Sequence, residues 1–371
     1  MNKQRWEYLD FFKGFYIFFV CAGNITQMNG TFWMVPDYIP MGDLSWIDSI
    51  SAKLLHYFFV PELNVMFTMI YGHNIYLWMS RGFSVGDFFK RTITLMSFGL
   101  IHAAFFYWGD ILFIHGVISV GLLFLIKTTS RFDIKLFIIL CLYLISSDIY
   151  LTFFHKETFV SSISVNEHLK YGSLPFWDLV VYRFKDFYAF NFYRMFNWES
   201  SKYTLITFNA MITFFTVMVF GVILGKCRLF EKLEKNSSYK SIFVMTIFFL
   251  FGQYLIYLYP SFKGSSYHFR IFFNIFFVIL IINEVYYRLT PNWIKRFVIL
   301  SGKNTLTIYI GGNILGAWLL SAYGLGLYQK IGPFVLFLSG AILYFLLTFL
   351  SMRFGFLPLE ILWRGIVYAK K

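Results

Sequence analysis

The chain has 371 residues, of which 58% are hydrophobic, 23% aromatic and only 14% charged, with a formal net charge of +13. Soluble domains carry roughly a quarter charged residues, so this composition excludes a soluble enzyme, a coiled coil and a disordered chain, and points to a lipid-embedded protein. The 50 Phe and 26 Tyr raise the possibility of a β-barrel, but barrels show short alternating segments where this chain has long unbroken apolar runs; the expected class is an all-α, polytopic integral membrane bundle.

A span needs about 20 mostly apolar residues to cross roughly 30 Å of hydrocarbon, and that rule gives about ten spans. In chain order they are Leu9 to Gln27, Leu54 to Met79, Thr92 to Trp108, Ile111 to Ile126, Leu136 to Phe154, Thr204 to Leu224, Ile242 to Tyr259, Phe269 to Tyr287, Leu306 to Tyr323 and Phe334 to Met352. The third and fourth form a tight hairpin at Gly109-Asp110. The first run holds Asp10 and Lys13 and lacks a small-residue cleavage site, so it is expected to persist as a helix. Residues 1–371 read as a single membrane domain, with 155–202 as one long extracytoplasmic loop. In that loop, Phe176 to Trp198 mixes aromatics with Asp178, Arg183, Lys185, Asp186 and Arg194. This is the pattern of an interfacial amphipathic helix, either packed over the bundle or serving as a lid.

With a cytoplasmic N-terminus, most of the 32 basic residues fall in inner segments, from Lys3 and Arg5 through Lys90, Arg91 and Lys226 to Arg364 and Lys371. The outer segment Met28 to Lys53 instead carries Asp37, Asp43 and Asp48. The positive-inside rule therefore sets both termini in the cytoplasm. It also accounts for the charge by orientation and anionic headgroups, so the partner is the lipid bilayer and no nucleic acid is expected. The three cysteines, Cys21, Cys141 and Cys227, stand singly. They support neither a disulfide framework nor a metal site.

Ionisable groups inside spans are expensive and mark functional positions or helix-helix contacts. Asp10 and Lys13, three apart, share a face and can pair; otherwise Asp10 caps the helix and Lys13 snorkels. Eight residues of helix rise about 12 Å, so His102 and Asp110 would not touch along one straight helix. The hairpin, however, brings His102, Asp110 and His115 to similar depth near the outer face. Asp110 reads equally as the N-cap of the fourth span and as a catalytic carboxylate. Neutral His102 suits a general base. Glu62, Asn64, His73, Asn74, Asp148, Asn209, Gln253, Asn274, Asn283 and Asn313 add a polar interior that fits an aqueous cavity or interhelical hydrogen bonds. Phosphate-binding loops and common protease motifs are not found.

Leu9-Asp10-Phe11-Phe12-Lys13-Gly14 with Asn24 resembles the first-helix motif of the YeiB-like bacterial membrane proteins, a family of unknown function. Phe67-Thr68-Met69-Ile70-Tyr71-Gly72 is similar to their FxxLFG element. Arg91-x7-Gly99-Leu100-Ile101-His102-x6-Gly109-Asp110-Ile111-Leu112-x3-Gly116 follows the order and spacing of a further signature. Gly302-Lys303-Asn304-x-Leu306-Thr307-x-Tyr309 and Pro358-Leu359-Glu360-Ile361-Leu362-Trp363-Arg364 resemble two C-terminal motifs. Lys13 and Lys303 stand where the family has Arg, Ile308 where it has Asn, and Leu357 where a Gly precedes Pro. Arg and Lys differ at any bidentate phosphate or carboxylate grip.

The resemblance implies a multi-pass protein of the bacterial inner membrane, distantly similar to the transmembrane acyltransferases. Those relatives move an acyl group from cytoplasmic acyl-CoA to an extracytoplasmic glycan. On that basis the expected activity is transfer of an acyl group, such as acetyl from acetyl-CoA, to a surface polysaccharide or lipid-linked sugar. His102 and Asp110 would be catalytic, and Lys13, Arg91, Lys303 and Arg364 would hold the CoA phosphates. The usual first-helix His of the acyltransferases is missing here, and His102 is the substitute base. The alternatives are a transporter or exporter, and an accessory membrane protein whose polar residues only join helices.

Overall fold

The computed structural model describes residues 7–29, 45–54, 60–125, 128–154, 172–189, 201–233, 275, 278–289, 291–328 and 330–368, and among these all regular structure is helical. In chain order the helices are α1 (Glu7–Met28), α2 (Trp46–Leu54), α3 (Val60–Ser80), α4 (Val85–Phe105), α5 (Leu112–Val120), α6 (Ser130–Phe154), α7 (Phe176–Tyr188), α8 (Ser201–Lys226) and α9 (Leu229–Leu233). A helical stretch 278–284 then runs into a π turn, Val285–Leu289, followed by α10 (Asn292–Lys303), α11 (Thr305–Leu320), α12 (Pro333–Phe354) and α13 (Pro358–Tyr368).

Helix α1 is apolar nearly all round, as a helix buried on most sides must be. Tyr8, Phe11, Phe12, Ile17 and Ile25 along it are inaccessible or nearly so. It packs against α3, α10, α11 and α12, while α3 pairs with α8, and α8 with α6. Glycine brings backbones into contact at several crossings. A Cβ on Gly14 would fall on the Val298 carbonyl oxygen and one on Gly302 on the Asp10 carbonyl oxygen, joining α1 to α10. Gly72 and Gly221 play the same part between α3 and α8, facing the carbonyls of Met218 and Met69. Small residues at close crossings are how helices associate where surrounding hydrocarbon supplies no hydrophobic drive.

Among the described residues three helices are long and apolar enough to cross a membrane: Glu7–Met28, Phe208–Lys226 and Pro333–Phe354. On α12, Ile342, Phe345, Leu346 and Phe349 are exposed despite being apolar, as on a surface meant for hydrocarbon.

Several expected boundaries shift for identifiable reasons. Helix α4 begins at Val85 rather than Thr92, because Ser84 and Asp87 form a capping box there. The expected span Ile111 to Ile126 is not one continuous helix: α5 has 9 residues and ends at Gly121, about 14 Å and too short to cross. Beyond that end the Lys226 ammonium ties down the chain that follows, donating to Leu125 O (2.7 Å) and Thr128 O (2.8 Å). It also pairs with Asp133 at 2.5 Å. Segments read as inner loops contain the amphipathic helices α10 and α13. The expected span Ile242 to Tyr259, most of 269–277, and the end of the amphipathic segment after Ala189 lie outside the described residues.

Candidate functional site

Helix α4 ends at Phe105, and residues 106–111 turn back so that α5 runs alongside it. Gly99 permits the approach, since a Cβ there would meet Phe113 N and the Asp110 carboxylate. The turn closes the gap that a straight helix would leave, and His102 Nδ1 lies 2.7 Å from Asp110 Oδ2. Asp110 Oδ1 accepts the Phe113 backbone N–H at 2.8 Å. The carboxylate therefore fills both expected roles at once, supporting the start of α5 with one oxygen and His102 with the other. Gly109 packs against the Tyr107 ring, whose hydroxyl donates to Gln27 on α1 at 2.9 Å.

The second ring nitrogen of His102 faces α11, where Asn313 Nδ2 lies 2.9 Å from Nε2. An amide N–H can only donate, so Nε2 carries the lone pair and Nδ1 the proton shared with Asp110. The Tyr309 ring stands 5.0 Å from the imidazole, and its hydroxyl lies beside Asn313 and the Ile111 backbone. His102, Asp110 and Asn313 are all buried, at 1%, 3% and 0% exposure. Asn313 had been legible only as one of several polar residues inside spans; nothing in the sequence singled it out.

Helix α7 covers this end of the bundle. Arg183, buried at 2% exposure, donates to the Phe105 carbonyl that ends α4 (2.6 Å) and to Ser321 Oγ after α11 (3.0 Å). A guanidinium with several donors suits helix-end carbonyls that have no water to turn to. Phe187 packs edge-on to Phe113 at 5.4 Å.

His115 does not join this group by contact. Its Nε2 bonds the Thr68 hydroxyl at 2.7 Å and its ring stacks on Tyr71 at 5.3 Å, tying α5 to α3. Asn24 is buried on α1.

At the other end, Lys13 pairs with Asp10 at 2.5 Å, and Gly14 and Gly302 form the crossing described above. Asn304 bridges chain segments: its Nδ2 donates to Gly355 O (3.0 Å), and its Oδ1 accepts from Leu357 N (2.7 Å). Glu360 accepts the backbone N–H groups of Leu306 (2.6 Å) and Thr307 (3.0 Å) and bonds the Thr307 hydroxyl. Burial pushes the Glu360 carboxyl above its usual range, and the bonds to Thr307 and Leu306 draw it partly back. The two C-terminal motifs are thus one joint, with Pro358 opening α13. Of the four expected phosphate-binding cations, each has its own surroundings. Lys13 is paired, Arg91 lies between Trp78 and Trp363, Arg364 sits over Phe356 at 3.8 Å, and Lys303 ends α10.

Comparison with known proteins places these observations. Residues 224–370 match the family described as "Protein of unknown function (DUF418)". That match takes in Gly302, Asn304, Thr307, Asn313 and Glu360 and leaves His102 and Asp110 outside it. The chain is also similar to the uncharacterized protein YxaH of Bacillus subtilis (strain 168), 23% identical over 397 residues that cover 99% of this chain and 95% of that protein. No solved structure matches the chain.

Proposed function

With residues 224–370 matching the DUF418 family model and the whole chain similar to YxaH, we propose that it is a YeiB-like, multi-pass inner-membrane acyltransferase that uses His102 as general base. The observation that carries this reading is the buried relay of Asp110, His102 and Asn313, with bonds of 2.7 Å and 2.9 Å. Asp110 fixes the imidazole so that Nε2 is the basic atom, and a carboxylate partner stabilises the imidazolium that forms.

An acceptor hydroxyl of a surface glycan or lipid-linked sugar would displace the Asn313 amide from Nε2 and give its proton to His102. Its oxygen would then bond the acyl carbon of the acyl-CoA thioester while the carbon–sulfur bond breaks. The proton would return from His102 to the departing CoA sulfur. The freed Asn313 amide would be within reach of the carbonyl oxygen as negative charge develops there. Lys13, Arg91, Lys303 and Arg364 would meet the CoA phosphates from the cytoplasmic side.

The test is transfer of radiolabelled acetate from acetyl-CoA to envelope glycan in inside-out vesicles. Transfer should fall by about 100-fold or more in His102→Ala. Unchanged transfer in that variant removes His102 from the chemistry. The same measurement addresses a second reading, a non-catalytic accessory protein, which the full engagement of both His102 nitrogens favours. That protein would show no transfer in any form.

A further inference from the structure

Arg91 lies on α4 where α3, α5 and α13 converge. Its guanidinium carbon is 5.4 Å from the Trp78 ring centroid and 5.7 Å from that of Trp363. The Tyr71 hydroxyl lies beside the guanidinium and beside Ser119. Among the described residues the ion pairs take up Asp10, Asp110, Asp133, Glu231 and Glu284, and none of them involves Arg91. Among the described residues this cation therefore has aromatic neighbours and no carboxylate partner.

Part of its hydrogen-bonding capacity is also unspent. Arg91 Nε, Trp78 Nε1, the Tyr71 hydroxyl and the neighbouring Thr92 hydroxyl are all buried with no hydrogen-bond partner. Trp78 and Thr92 are only 6% and 1% exposed. Ring faces ease the charge of a guanidinium but accept none of its in-plane N–H bonds. A buried donor left unmade is costly, and several in one place describe a pocket that lacks its acceptor. The acceptor must be anionic and offer several oxygens. Position narrows it further: Trp78 is near the end of α3, and Arg91 sits about 9 Å along α4 from its start. Indoles and basic side chains at helix ends mark the depth of lipid headgroups.

We propose that this pocket binds a phosphate oxyanion, gripped by the Arg91 fork with Trp78 Nε1 and the Tyr71 hydroxyl as further donors. Arg91 is one of the cations expected to meet CoA phosphates in the proposed acyl transfer, and the pocket's own donors argue for an oxyanion whether or not that transfer occurs. A phospholipid headgroup and a soluble phosphate both carry this chemistry, and the experiment separates them. Thermal unfolding of the detergent-purified full chain is followed with inorganic phosphate against chloride at equal ionic strength. It is followed again with added phosphatidylglycerol against an uncharged glycolipid. Binding to the folded state raises the apparent midpoint with ligand concentration.

A rise with inorganic phosphate supports a soluble ligand, and one with phosphatidylglycerol alone supports a headgroup. In either arm the rise should vanish in Arg91→Gln. Arg91→Lys keeps the charge and loses the fork, so it should need about tenfold more ligand for the same rise, and it serves if Arg91→Gln does not fold. The proposal is overturned if neither ligand shifts the wild-type midpoint, or if the shift is the same in the Arg91 variants.

Discussion

Glu360 caps a helix to which it does not belong: its Oε1 accepts the N–H groups of Leu306 and Thr307 at the start of α11, 54 and 53 residues away in sequence. A carboxylate at a helix N-terminus meets both the unbonded amides and the positive end of the dipole. The arrangement recurs at α12, where Asp48 Oδ1 accepts Phe334 N at 3.0 Å from the distant α2. Glu360→Ala should destabilise the protein by about 1–3 kcal/mol, because buried donors lose their acceptor. Thermal unfolding in detergent measures this directly.

The same carboxylate predicts a pH dependence. Its folded pKa is raised by burial, so its contribution is complete below the unfolded value near 4 and is lost as pH rises through the folded value. Stability should therefore decline across that interval in the wild type. Glu360→Gln keeps an acceptor and loses the titration, and its unfolding midpoint should be flatter there; a parallel profile would rule out this origin.

Asp110 separates two effects. Asp110→Asn retains an oxygen for Phe113 N and loses the charge beside His102, so folding should hold while the proposed acyl transfer falls. Asp110→Ala removes both bonds and should lose a further ~1 kcal/mol or more of stability from the cap. The comparison needs unfolding curves and the vesicle assay on both variants.

Gly14 and Gly302 should each reject alanine, at about 1–3 kcal/mol or more, because a Cβ meets a carbonyl that cannot move without parting α1 from α10. Gly365, on α13, has nothing within 4 Å of a Cβ. Alanine there should be neutral or stabilising by up to about 1 kcal/mol. Equal effects at the three sites would refute the close-crossing argument.

Lys226 and Asp133 form a buried pair, with side chains 6% and 0% exposed. Lys226→Met leaves a buried carboxylate and unbonded carbonyls, and should cost about 3–5 kcal/mol. The double variant Lys226→Met with Asp133→Leu should recover part of that loss in the same unfolding measurement.

The helical class was legible from composition and long apolar runs, and α1, α6, α8 and α12 fall where those runs lie. The hairpin glycine-aspartate pair announced the meeting of His102 with Asp110. Pairings across long separations were not legible. Nothing local to Glu360 names Leu306 as its partner, and Lys226 looked like one more inner-loop cation until α6 placed Asp133 beside it. Helix α5 escaped because hydropathy records what may lie in lipid and marks neither the turns after Val120 nor the Lys226 ammonium that holds the Leu125 and Thr128 carbonyls beyond them. Arg183 was readable as part of an amphipathic segment, but its side chain turns inward to Phe105.

Helix α11 is held at three levels: at its start by Glu360, midway by His102 through Asn313, and just past its end by Arg183 through Ser321. Its 16 residues make a rod of about 24 Å. A rod fastened at three heights cannot slide or tilt at one of them alone. Cutting the chain before α13 would thus be an operation on the His102 site, performed from the opposite end of the molecule.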